Sequence, residues 1–208
     1  MKNRYLLMFL VSIICCPAFS THAQSAFEKF KASAAMDKSD LKLPPTNAFE
    51  FLQNIKHAID TELFLDDSFF EPENLLLFTN AKSVDGIEKN GDWLTIKQAN
   101  IEGVQRSIEV TKQNTEEKKT GRMAISFFSK LIDADFITKV FGPISKTIEL
   151  SKKFAFGHPI PLSAKTHPLG NTEACQTFVN KKTYTEICSL VSGNGQVGQF
   201  YVVQTREK

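Results

Sequence analysis

The chain has 208 residues, with 25 Lys and Arg against 23 Asp and Glu, and its apolar share of 42% includes 18 Phe. That length and that much aromatic area suit one domain with a sizeable core. The near-neutral charge excludes a nucleic-acid binder that works through a net basic face, and no basic cluster marks an anionic membrane surface.

The chain opens with MKNRYLLMFLVSIICCPAFSTHA. Lys2 and Arg4 form a positive start, Tyr5 to Cys16 is an apolar run, and Thr21 and Ala23 are small residues at the −3 and −1 positions of a cleavage site. This is the pattern of a secretory signal peptide over 1–23, and the run is too short for a comfortable membrane span. Cys15 and Cys16 follow Ile14 without the small residue of a lipobox and would leave with the leader. The leader carries two basic residues and no acidic one, so its removal balances the charge.

Downstream, SAFEKFKASAAMDKS spaces Phe27, Phe30 and Ala34 as a short helix does, and Pro44-Pro45 breaks the pattern. Ala48, Phe51, Leu52, Ile55, Ile59 and Leu63 form one apolar stripe, with Asn47 as cap and Glu50 three residues on. The spacing predicts a helix over about 47–64. LDDSFFEPENL reads as a loop, after which the period changes to two. NLLLFTN, DWLTIKQANI, VQRSIEVTK and RMAISFF read as four strands of an antiparallel meander between 75 and 128. SKLIDADFITKVFGP returns to helical spacing near 130–141, with Asp133 or Asp135 to cap it and Gly142-Pro143 to stop it. Four more strands follow in ISKTIELSKKFAF, ACQTFV, YTEICSLV and QVGQFYVVQT, the last two joined by a hairpin at Asn194-Gly195.

The expected fold is therefore α+β: antiparallel β-sheet packed by a long N-terminal helix and a second short helix. Residues 24–46 form a helix and linker, and 47–208 a single domain with candidate sub-units 47–128 and 129–208. This order of elements resembles the β-lactamase inhibitory proteins, built of two helix-plus-four-strand units. ITKVFGP is similar to the helix end that opens the sheet in small outer-membrane assembly lipoproteins. Both are likenesses of architecture, and architecture does not set function.

Cys175 and Cys188 remain after the leader and lie on neighbouring expected strands. In an oxidising compartment such a pair forms a disulfide, worth about 3 kcal/mol for a loop this short. His158 and His167 precede prolines in a loop before Cys175. The spacing of the two His and two Cys matches no common zinc motif, so no metal is expected. Either histidine would serve as the base of an exported hydrolase, yet Ser163 between them lacks a G-x-S-x-G elbow. GNGQVG matches G-x-G-x-x-G, but a strand follows where a nucleotide site needs a helix, so it reads as a turn. Asp66, Asp67, Glu71 and Glu73 lack the calcium-loop spacing. Phe69 and Phe70 beside them are candidate aromatic anchors for a partner, the kind of side chain that dominates hot spots. Trp93 reads as core or sheet-face packing.

With no catalytic set and no cofactor motif, the leading expectation is a non-catalytic binding protein of the cell envelope or the secreted space. It would be an inhibitor or assembly factor engaging another protein through loops or sheet face. The rivals are a hydrolase using His158 or His167, and a sheet-lined binder of a small apolar ligand.

Overall fold

The computed structural model describes residues 25–35, 41–97, 99–102, 104, 107–126, 132–150, 154–155, 158–159, 164–180 and 182–208. The signal peptide expected over 1–23 lies outside these residues.

Helix α1 spans Ala26–Ala35 and buries Phe27 and Phe30. Helix α2 spans Ala48–Asp60, four residues short of the expected end. Its Asn47 cap accepts from the Glu50 N–H at 3.0 Å, and the Glu50 carboxylate reaches back to the Thr46 N–H at 2.7 Å. The remainder of the apolar stripe continues as a 3-10 turn at Leu63–Leu65, after Glu62 takes a left-handed conformation. A second 3-10 turn follows at Asp67–Phe70, capped by Asp66.

Residues 72–79 overturn one expectation. NLLLFTN is not a strand but part of helix α3, Pro72–Thr79. Proline is favoured at the first helical position, where its missing N–H costs nothing. Asn80 ends the helix in a left-handed conformation with its N–H on Leu76 O. Leu75, Phe78 and Thr79 are the buried face. Consecutive apolar residues hid that 3.6 period, and Pro72, read as loop, was the start signal.

The strands are β1 (Ile87–Asn90), β2 (Trp93–Ile96), β3 (Ile108–Asn114), β4 (Lys118–Ser126), β5 (Lys146–Glu149), β6 (Phe154–Ala155), β7 (His158–Pro159), β8 (Thr172–Asn180), β9 (Thr183–Val191) and β10 (Val197–Glu207). The first meander thus keeps four strands, with β1 in place of NLLLFTN. Helix α4, Ala134–Phe141, lies between the two groups of strands; Asp133 caps it by accepting from the Phe136 N–H at 2.8 Å. β6 and β7 pair with each other, and the other eight strands form one antiparallel sheet in the order β1-β2-β3-β4-β10-β9-β8-β5. The two groups meet through their last strands, β4 and β10.

One face of this sheet meets the helices. Val110, Met123, Ile125, Ile187, Phe200 and Val202 share a core with Phe51, Leu52 and Ile55 of α2 and Ile137 and Phe141 of α4. Polar groups buried on the same face are used as ties. Gln204 Nε2 donates to Ile59 O at 3.0 Å and to Thr185 Oγ1 at 3.1 Å, and Gln176 Nε2 donates to Gly142 O at 3.2 Å. The amide nitrogens thereby exchange water for protein acceptors, while the Oε1 atoms of Gln176 and Gln204 are buried without a hydrogen-bond partner among the described residues.

Candidate interaction face

Successive residues of a strand point to opposite faces, so the residues between the core positions line the other side of the sheet. Register sets them in rows. Trp93 stands opposite Thr111, Thr111 opposite Arg122, Arg122 opposite Val203, and Val203 opposite Glu186. One step nearer the hairpin tips, Gln113, Thr120, Thr205, Tyr184 and Val179 form a second row. Among the described residues no helix packs here. Trp93 and Tyr184 are each 43% exposed and Val179 is 76% exposed. Four strand steps separate Trp93 on β2 from Tyr184 on β9, about 19 Å at the usual strand spacing.

A chain of contacts crosses this face. The Arg122 guanidinium carbon lies 5.8 Å from the Trp93 ring and 5.7 Å from the Tyr201 ring, within cation–π range of both. The Tyr201 hydroxyl donates to Glu173 Oε1 at 2.6 Å. Burial, the bond to Glu173 and the Glu173 and Glu186 charges push that hydroxyl far above the ordinary phenol range. It therefore remains a donor. Tyr201 lies on β10 and Glu173 on β8, so their side chains span β9.

Cys175 and Cys188 face each other across β8 and β9 on this same side and are joined as a disulfide. Both are buried, and Tyr201 stands opposite Cys188. Glu173 lies close to both sulfurs. Sulfurs tied to each other are not thiolate ligands, so this trio holds no metal in its disulfide form. A chain cut to begin at Gln24 should titrate no free thiol when unfolded without reductant. Replacing both cysteines by serine should lower stability to urea by about 3 kcal/mol. Two titratable thiols would overturn the bridge.

The other candidate residues fall elsewhere. Phe69 is fully buried and touches the rings of Phe64, Phe70, Phe78 and Phe27. It is a core residue and presents nothing to a partner, because the 3-10 turn that carries it folds inward. Phe70 is half-buried and lines a groove of about 410 Å³ with Asp67, Pro72, Lys89, Leu94 and Lys112. The acidic loop is internally engaged. Asp66 accepts from Ser68 and from the Ala26 N–H at 3.1 Å, which ties down the start of α1. Burial would raise its pKa, but these hydrogen bonds outweigh that and hold it below the usual range. Asp67 is lowered by Lys119 and Lys112, which lie 2.8 and 2.9 Å away.

His167 sits in a turn packed on the β9–β10 hairpin. Its Nδ1 accepts from the Leu169 N–H at 3.1 Å, and its Nε2 lies 3.6 Å from Asp135 of α4. It is not part of the group formed by Glu173 and the cysteines. The backbone of His158 pairs with Ala155, and its side chain lies outside the description. GNGQVG is the β9–β10 hairpin, with Gly195 at φ +88°. Trp93 proved more exposed than expected. Alternation along WLTI would have set it on the side opposite Leu94 and Ile96, but nothing local says which side the helices cover.

No protein-family model, curated protein or solved structure matches this chain.

Proposed function

We propose that the protein is an exported, non-catalytic binding protein of inhibitor or assembly-factor type. It engages another protein of the cell envelope or secreted space through the face of its sheet on which, among the described residues, no helix packs. The observation that carries this reading is the joint exposure of Trp93, Tyr184 and Val179 on two adjacent rows of one face. Aromatic side chains are enriched at protein interfaces. A span of about 19 Å is too wide for one small ligand and fits inside the patch of about 800 Å² that each partner of a standard interface buries. The disulfide suits an oxidising compartment.

The test is tagged protein expressed through its own leader, lightly cross-linked, beside a Tyr184→Ala/Val179→Asp variant. Val179 is largely and Tyr184 partly exposed, so thermal unfolding should fall by only a few degrees. A partner captured near stoichiometrically by the parent and at least tenfold less by the variant supports the reading. Equal capture by both would place the contact elsewhere, and no dominant partner would count against a protein-binding role.

A further inference from the structure

A groove of about 350 Å³ opens at the Trp93 end of the sheet face. Its walls include Asn90, Asp92 and Trp93 of the β1–β2 hairpin, Thr111 and Gln113 of β3, and Thr120 and Arg122 of β4. Its size lies at the small end of the range for ligand pockets, about 300–1,000 Å³. We infer that this groove is a subsite for one ring of a neutral oligosaccharide.

The lining carries the argument. Two hydroxyls and the two primary amides of Asn90 and Gln113 both donate and accept, Asp92 only accepts, and Arg122 only donates. One positive and one negative side chain leave the groove without net charge. An anion is opposed by Asp92 and a cation by Arg122. An apolar ligand would strip water from both charges and from Gln113 without replacing the lost hydrogen bonds. A sugar hydroxyl, donor and acceptor at once, matches this mixture. The wall completes the match: an indole that is 43% exposed offers a flat apolar surface to the C–H face of a pyranose ring. Arg122 lies near that indole, 5.8 Å from its ring, and Thr120 Oγ1 is 3.1 Å from Thr205 Oγ1, so two of the polar walls are held in place before any ligand arrives. Pre-set walls lower the ordering cost of binding.

The groove shares Trp93 with the proposed protein contact but does not include Tyr184 or Val179, so variants at Gln113 and at Tyr184 let the two readings fail separately. Trp93 is the only tryptophan in the chain, so its fluorescence reports on the groove alone. The mature protein is titrated with cellotetraose, maltotetraose and chitotetraose, and with trigalacturonic acid as the anionic counterpart. A saturable change with at least one neutral sugar and none with the acid is expected. Gln113→Ala should weaken that binding roughly tenfold, the effect of losing a hydrogen bond to a polar ligand. Tyr184→Ala should leave it unchanged, whatever that change does to capture of a protein partner. No saturable response to any neutral sugar up to its solubility limit would overturn the inference. So would tighter binding of the acid, or equal binding by Gln113→Ala.

Discussion

Replacing Gly121 by valine should cost about 3 kcal/mol or more, near the upper end for over-packing a core. Gly121 lies on β4, facing inward beneath the Leu63–Leu65 turn. A Cβ built there would sit 1.8 Å from the Phe64 carbonyl oxygen and 2.7 Å from its carbon. Both obstacles are backbone, which cannot rotate away as a side-chain tip can. The turn would have to lift from the sheet. Phe64 is fully buried and meets Phe69 at 5.2 Å and Phe78 at 6.4 Å, so lifting it opens the aromatic core. Even alanine should destabilise, the reverse of what a glycine-to-alanine change does where the backbone is unstrained and space is free. Urea unfolding of the two variants decides the matter, and an alanine variant as stable as the parent would refute the close approach.

Phe69→Ala should be comparably severe, about 3–5 kcal/mol for a buried phenylalanine. The ring is the centre of a cluster, with neighbouring ring centroids at 5.1 Å for Phe78, 5.2 Å for Phe64, 5.3 Å for Phe70 and 6.3 Å for Phe27. Its removal leaves a cavity bounded by groups from α1, α3 and both 3-10 turns, which cannot all close in at once. Phe70→Ala, on a half-buried ring beside Lys112, should cost clearly less. The same unfolding experiment separates a core role from a partner-anchoring one. Unchanged stability of Phe69→Ala together with lost partner capture would restore Phe69 as an anchor.

The contrast between these neighbours shows where local reading runs out. Phe69 and Phe70 are adjacent, equally apolar and flanked by acidic residues. Which of them turns inward depends on the 3-10 turn set by Asp66, and on Gly121 lying in the right place on a strand far along the chain. Likewise NLLLFTN is a run in which a strand and a buried helix look alike, and only Pro72 and Asn80 at its ends separate them.

Several features are written in short stretches of sequence. The caps of α2 and α4, the stop at Gly142, the hairpin at Asn194-Gly195 and the pairing of Cys175 with Cys188 each depend on residues within about a dozen positions. Hydrogen bonds and backbone preferences at that range need no tertiary context. The α+β class followed from the same signals. What only the tertiary structure decided is the joining of β4 to β10, which brings together residues such as Thr120 and Thr205, 85 positions apart, and fuses two meanders into one sheet. It also decided which side of that sheet the helices cover. Alternation along a strand specifies two faces without naming the buried one or the strand's neighbours. Those choices come from packing the whole apolar surface at once, and they place Trp93, Arg122, Tyr201 and Tyr184 together on the face that is left.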